Sequence, residues 1–220
     1  MKAVDSAEWD RRYAGRELVW TSEPNRFLVR EAEGLAPGTA LDLASGEGRN
    51  AVWLAERGWK VTGVDFSAVG LEKGAGLAAA RGVDVEWVLA DLLDYRPKFA
   101  AFKLVIVFYL QVPGAQRTTI LRGAAEAVAP GGTLVLVAHD SDNLAHGHGG
   151  PRDPAVLYTA EDVSRDLEGF GLRIERAERV ERPVDTPDGP RTALDALVRA
   201  SRPGRNQNAE PSVWVREEHL

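Results

Sequence analysis

A chain of 220 residues that is 44% hydrophobic can bury the core of one domain with small appendages. Its 27 basic and 33 acidic residues give a net charge of -6, which opposes nucleic-acid binding, and the absence of Cys removes disulfides, thiolate nucleophiles and thiolate-bound zinc. No apolar run reaches bilayer length and residues 1–5 hold no signal-peptide apolar core, so no membrane partner and a cytoplasmic location are expected.

The segment 5–14 places Trp9 and Tyr13 four residues apart with charges between them, the spacing of a short amphipathic helix with an aromatic face. Leu18, Val19 and Trp20 follow. Thr21-Ser22-Glu23-Pro24 reads as a helix start, with a hydroxyl cap and a proline in the first turn, and Phe27, Leu28, Glu31 and Leu35 carry that helix on. These aromatics either pack on the domain surface or form a lid over a ligand.

From residue 39 the pattern alternates: strand 39–43, helix 49–57, strand 60–64, helix 67–81, strand 83–89. Strand 103–108 holds four consecutive apolar residues, Leu104 to Val107, as expected of a strand buried on both faces of a parallel sheet. Helix 115–128 is stopped by Pro130-Gly131-Gly132, and strand 133–138 follows. A loop rich in Gly, His and Asp then runs to Val156, and Thr159 caps a helix through Leu167. The strand-like runs 172–180 and 192–200 flank a Pro-rich turn over 183–190 with an Asp188-Gly189 step, so an antiparallel hairpin closes the series. The whole predicts an α/β fold: a Rossmann-like, doubly wound, seven-stranded, mostly parallel sheet with a C-terminal antiparallel hairpin. Its divisions are an N-terminal helical cap over 1–38, the sheet domain over 39–200, and a polar, flexible tail over 201–220 in which Trp214 can dock on this chain or on a partner.

The first strand runs into Ala44-Ser45-Gly46-Glu47-Gly48-Arg49-Asn50, where two glycines let the backbone bend or approach a ligand before a helix. Gly46 to Ala51 nearly spells the dinucleotide fingerprint G-x-G-x-x-A, so NAD(P) is one candidate ligand and oxidoreductase one candidate function. Asp42, inside the strand end, opposes a diphosphate. It suits a zwitterion or a cation, such as a nucleoside carrying an amino acid and a sulfonium. Asp65 and Asp91 close the next two strands, at the carboxyl edge where open α/β sheets bind ligands. Asp65 can accept both hydroxyls of a ribose and Asp91 an exocyclic adenine amine; alternatively, either caps the turn that follows it.

The stretch from Leu41 to Asn50, with Leu54-Ala55-Glu56-Arg57-Gly58 and Val61-Thr62-Gly63-Val64-Asp65-Phe66-Ser67, resembles the class I S-adenosylmethionine-dependent methyltransferases. Within them it looks like the branch related to the tellurite-resistance and thiopurine methyltransferases, over roughly Trp9 to Ala200. The resemblance implies S-adenosyl-L-methionine as cofactor, with Asp42 and Gly46 bordering its methionine moiety, Asp65 its ribose, and Asp91 with Leu92 its adenine. It further implies cofactor contacts at Ala44, Ser45, Gly48, Asn50, Phe66, Ser67 and Phe108, with Trp20 reaching in from the N-terminal segment. Ala44 stands where the family has its first loop glycine, a small departure that alters the backbone freedom of that turn.

The resemblance sets Phe108-Tyr109-Leu110-Gln111-Val112-Pro113 beneath the reactive methyl group. The Asn/Asp-Pro-Pro-Tyr/Phe motif of nucleic-acid amino-methylating enzymes is missing there, which favours a small-molecule acceptor over nucleic acid, on a monomer or homodimer. Transfer from a sulfonium is an in-line displacement in which the protein mainly orients and desolvates the acceptor, and a base helps only where the acceptor is a phenol or alcohol. His139, just past the fifth strand, is the candidate catalytic base, and Tyr109 the polar group that can touch acceptor or cofactor. His139, Asp140, Asp142, His146 and His148 fall within ten residues, yet their spacing fits no helical or paired-strand ligand set, so no metal is assigned. A non-catalytic S-adenosylmethionine binder acting through partners is the remaining reading, with Val213-Trp214-Val215 its only sign.

Overall fold

Two short helices, α1 (Ser6–Tyr13) and α2 (Arg26–Ala32), lead into β1 (Thr39–Leu43), α3 (Arg49–Ala55), β2 (Lys60–Asp65), α4 (Ala68–Arg81) and β3 (Val85–Leu89). Then come β4 (Phe102–Phe108), α5 (Gly114–Ala127), β5 (Val128–His139), α6 (Asn143–His146), α7 (Ala160–Asp166) and the hairpin β6 (Arg173–Thr186) and β7 (Gly189–Ser201). The computed structural model describes residues 6–15, 17–19 and 21–204. The seven strands form one sheet in the order β3-β2-β1-β4-β5-β7-β6, parallel from β3 to β5, with β7 antiparallel to both its neighbours. The order reverses at β1: β2 and β3 step away on one side, β4 and β5 on the other. A crevice therefore opens outside the carboxyl ends of β1 and β4.

β4 shows what drives the sheet together. Leu104, Val105, Ile106 and Val107 are wholly buried; Val105 and Val107 join the cluster that holds Leu121 of α5 and Val163 of α7, whereas Leu104 and Ile106 join Leu28 of α2 and Leu54 of α3. Each such side chain contributes about 1.5–3 kcal/mol on leaving water, and a strand covered on both faces collects this at every position. Glu31 of α2, 6% exposed, meets Arg176 at 2.7 Å and Arg199 at 3.8 Å, which pins the second helix to the hairpin. Among the described residues no helix is long and apolar enough to cross a membrane.

Most boundaries lie within about two residues of the sequence reading, and the larger departures are at α2, β5 and the hairpin. α2 begins at Arg26 because the Asn25 side chain, rather than Thr21 or Ser22, caps it by accepting the Phe27 N–H at 2.9 Å. β5 begins at Val128 and runs through Pro130-Gly131-Gly132 with a register shift opposite Phe102 and Leu104. A side chain at Gly132 would lie 2.8 and 2.9 Å from the carbonyl oxygens of Ala129 and Phe102, so only glycine passes there. The hairpin strands extend to Thr186 and from Gly189, which puts Pro183 and Pro190 inside strands. β6 is the sheet edge, and Pro190 lies beyond the part of β7 that pairs with β5, positions that tolerate a missing N–H.

Candidate functional site

Between β1 and α3 the chain turns through three left-handed residues, Ala44 at φ 62°, Gly46 at φ 54° and Gly48 at φ 78°. Ala44 holds this conformation at a cost of roughly 1–2 kcal/mol that glycine would not bear. The turn is laced to β2: the Ser45 N–H donates to the Val64 carbonyl at 3.0 Å and the Gly46 N–H to Asp65 Oδ2 at 2.8 Å. Asp65 Oδ1 accepts the Ser67 N–H at 2.9 Å, so one carboxylate, 5% exposed, holds two neighbouring loops together. Burial raises its pKa, against the lowering by these amides. Each oxygen keeps a second lone pair for a hydroxyl donor.

Gly48 serves packing. A Cβ on it would lie 2.4 Å from the Trp87 ring, and one on Gly63 or Gly74 would lie 2.8 Å from the same ring. Trp87 of β3 is the register partner of Gly63 in β2, and its indole fills the space that the three glycines leave behind the turn. Glu47, 3% exposed, faces Lys73 of α4 at 3.0 Å and accepts the Val19 N–H at 3.1 Å. Lys73 also donates to the Glu17 carbonyl at 2.7 Å, which straps segment 17–19 to the turn.

Asp42 is 1% exposed, and neither of its carboxylate oxygens has a hydrogen-bond partner among the described residues. Burial, then the charge of Asp65, push its pKa up to about 8; Arg49 and the Ala51 amide lower it in part, the amide lying close without reaching hydrogen-bond geometry. The hydroxyl oxygen of Ser45 is likewise buried and unpartnered. An uncompensated buried carboxyl is costly, and a cation with N–H donors placed against it removes the cost.

α1 lies across this loop pair. Asp10 accepts from the Ser67 hydroxyl at 2.5 Å and from the Val69 N–H at 3.4 Å, and the Tyr13 hydroxyl lies 3.0 Å from where a Cβ on Gly46 would sit. Trp9 packs on Tyr13 with ring centroids 5.4 Å apart. Trp20, the third aromatic expected here, lies outside the described residues.

A second group of side chains gathers where β4, β5 and the hairpin meet. Tyr109, just past β4, has φ 56°, a conformation that costs a non-glycine residue on the order of 1–3 kcal/mol. Its hydroxyl donates to Asp195 Oδ2 at 2.8 Å, and Arg182 Nε donates to the same oxygen at 2.7 Å. His139 and Asp195 are register partners in β5 and β7, with Nδ1 3.3 Å from Oδ1 at an angle poor for a hydrogen bond. Asp195 is wholly buried; burial alone would raise its pKa, but His139, Arg182 and Tyr109 together hold it below the ordinary carboxylate value. Burial, then Asp195, push the Tyr109 phenol well above its usual range, so it remains a donor. Arg49, half-buried at the start of α3, lies within electrostatic reach of Tyr109, Arg182 and Asp42, and so bridges the two groups.

The structure thus brings Asp42, Ala44, Ser45, Gly46, Asp65, Phe66 and Ser67 to the adjoining ends of β1 and β2, and His139 with Tyr109 to the neighbouring ends of β4 and β5. Asn50 docks α2, accepting the Asn25 N–H at 2.9 Å, and Phe108 belongs to the core. Leu92 is half-buried, and Asp91 is exposed and caps the turn after β3 by accepting the Leu93 N–H at 2.9 Å. The histidine-rich loop scatters. Asp142 pairs with Arg179, His146 and His148 line a groove beside the hairpin tip, and among the described residues no three His, Asp or Glu side chains form a metal-ligand group. Sequence reasoning missed Asp10, Glu47, Arg182 and Asp195; only Asp195 carried a signal, as a lone acid in the apolar run Ala193 to Val198.

Residues 40–132 match the family described as a methyltransferase domain. The chain is 26% identical over 136 residues to 2-heptyl-1-hydroxyquinolin-4(1H)-one methyltransferase of Mycobacteroides abscessus, covering 60% of each chain. It is 35% identical over 125 residues to ribosomal RNA small subunit methyltransferase C of Alcanivorax borkumensis, covering 53% of this chain and 38% of that one. The matched region is therefore about two fifths to three fifths of those relatives' length. A structure solved for the conversion of a disulfide bond into a thioacetal group during echinomycin biosynthesis superposes with TM-score 0.74 at 21% identity, over 92% of this chain and 93% of that one, which is a likeness of fold. The segment 40–132 thus matches a methyltransferase domain within a sheet of the class I order, and the cofactor this indicates is S-adenosyl-L-methionine.

Proposed function

We propose that the protein is an S-adenosyl-L-methionine-dependent methyltransferase that modifies a small-molecule acceptor by direct in-line transfer. The observation that carries this reading is Asp42, a buried carboxyl near the end of β1 with no hydrogen-bond partner among the described residues, followed in the turn by an equally unpartnered Ser45 hydroxyl, both within the segment that the family match covers. A dinucleotide phosphate would meet repulsion there; the ammonium of an amino-acid moiety meets a carboxylate. When bound, the cofactor supplies a methyl group on a sulfonium, a leaving group already made. Asp42 and Ser45 receive the ammonium, Asp65 uses its spare lone pairs on the ribose, and Gly46 lets the backbone come close. Asp91 and Leu92 border the adenine, and Tyr109, His139 and Arg49 line the acceptor side.

Trp9 and Tyr13 of the N-terminal segment act as a lid over this site and residues 39–200 form the catalytic domain; Trp20 and most of the expected tail, 205–220, lie outside the described residues. The net charge of -6 supports a small acceptor over an RNA, although one relative is named for ribosomal RNA. The finer branch, that of the tellurite-resistance and thiopurine methyltransferases, rests on the residues from Leu41 to Asn50. The protein works as a cytoplasmic monomer or homodimer.

Calorimetry with S-adenosylmethionine, S-adenosylhomocysteine and NAD tests the cofactor site. The adenosyl ligands are expected to bind and NAD not, with Asp65→Ala weakening the former at least tenfold. NAD binding alone, or an Asp65→Ala protein that binds as tightly as wild type, would overturn the assignment.

A further inference from the structure

We infer that His139 and Asp195 form a built proton acceptor, and that the methyl acceptor is accordingly a hydroxyl on an aromatic or heteroaromatic ring. This deepens the methyltransferase reading above and rests on it. A thiol ionises readily near neutral pH and a free amine attacks through its own lone pair, so neither requires a base; a ring hydroxyl gains most from losing its proton as it reacts.

The geometry around His139 is that of a positioned base. Antiparallel register sets His139 of β5 opposite Asp195 of β7, with Nδ1 3.3 Å from Oδ1. The other carboxylate oxygen is already held by the Tyr109 hydroxyl and Arg182 Nε, at 2.8 and 2.7 Å. Both of those donors end on Oδ2, so the buried and otherwise unpartnered Oδ1 is left facing the imidazole. The residue is fixed from two further sides: the His139 backbone N–H donates to Gln111 Oε1 at 3.0 Å, which anchors the main chain, and the ring lies so close to Gly150 that a Cβ there would be 2.9 Å from it. The negative oxygen 3.3 Å from Nδ1 favours the tautomer that carries its proton there, even without hydrogen-bond alignment, and the lone pair then falls on Nε2, which has no hydrogen-bond partner among the described residues. The side chain is 14% exposed at the carboxyl edge of the sheet, beside the Tyr109 ring at 5.0 Å. His139 is the catalytic residue of the pair and Asp195 a positioning residue. In the step, the hydroxyl proton passes to Nε2 and from there to water; the oxygen gains the methyl group, and the sulfonium sulfur keeps the electron pair of the bond that breaks.

The test uses the full chain with S-adenosylmethionine and three matched probe series: para-substituted phenols, the corresponding thiophenols and the corresponding anilines, read by release of S-adenosylhomocysteine. Wild type is expected to methylate phenols. His139→Gln is expected to lower the ratio of phenol to thiophenol turnover at least a hundredfold, and Asp195→Asn to lower kcat for phenols tenfold or more with KM held within twofold. Circular dichroism and S-adenosylhomocysteine binding establish that each variant is folded; should Asp195→Asn fail to fold, the His139→Gln ratio decides alone. Turnover confined to thiophenols or anilines, an unchanged ratio in His139→Gln, or cofactor binding with no turnover of any series overturns the inference and leaves the cofactor reading standing. A wild-type protein that binds no adenosyl ligand overturns the methyltransferase reading itself.

Discussion

Tyr109 and Asp195 meet at 2.8 Å across 86 residues of sequence, joining the end of a parallel strand to a wholly buried acid of the antiparallel hairpin. Removing the two partners has unequal consequences. Tyr109→Phe leaves Asp195 with Arg182 and His139, a loss of about 1–2 kcal/mol. Asp195→Ala strands a guanidinium and a phenol in a buried setting, which costs about 3–5 kcal/mol. Urea unfolding is expected to rank them in that order. Because the folded pKa of Asp195 is depressed, its contribution is present above the ordinary carboxylate pKa of about 4 and is lost as pH falls through the folded value.

Asp42 gives the opposite sign. Its folded pKa of about 8 lies above the unfolded value, so the empty protein keeps a proton that the unfolded chain gives up. Stability without ligand is expected to fall by a few kcal/mol as pH rises from about 4 to about 8, and Asp42→Asn to flatten that fall. A cationic ligand draws the carboxyl into its ionised form. Binding of S-adenosylhomocysteine at pH 7 is therefore expected to release close to one proton, measured by calorimetry in two buffers of different ionisation enthalpy. Asp42→Asn should release none; equal proton release from both proteins would remove Asp42 from the ligand site.

The sheet was legible in the sequence because each central strand is covered on both faces and so reads as an apolar run, as Leu104 to Val107 does. The turn after β1 was legible because Gly46 and Gly48 with Asp42 make a local pattern. The group around Asp195 was not, since it exists only through the register that sets Asp195 opposite His139, and register is not written in local composition. Asp91 shows the converse. Its place after a strand fits a ligand contact and a turn cap equally well, and its Oδ1 accepts the Leu93 N–H, so spacing alone does not choose between the two uses.

The glycines around Trp87 separate two effects that sequence merges. Gly63→Ala is expected to destabilise by about 1–3 kcal/mol, since the new Cβ would sit 2.8 Å from the indole, and to cost much less in a Trp87→Leu background. Gly48→Ala meets the same ring at 2.4 Å but also has φ 78°, so Trp87→Leu should relieve only part of its cost and leave roughly 1 kcal/mol of backbone strain. A double-mutant cycle by urea unfolding reads both couplings. Equal rescue at the two positions would show that backbone conformation contributes nothing at Gly48.

Asp10 bears on how a ligand reaches Asp65, which is 5% exposed beneath α1. Asp10 holds that helix through the Ser67 hydroxyl and the Val69 N–H, while Glu47 and Lys73 strap the segment that follows it. Asp10→Ala removes the first tie and keeps the strap, so the helix should swing without detaching. The loss of a charge-assisted hydrogen bond worth about 1.5–3 kcal/mol raises the open population about tenfold or more where opening is unfavourable. Stopped-flow binding of S-adenosylhomocysteine is expected to show that increase in association rate, with a parallel rise in proteolytic cleavage near residues 14–19. An association rate equal to that of wild type would mean that the ligand enters by a path α1 does not cover, most directly from the crevice between β1 and β4, where Arg49 and Tyr109 stand.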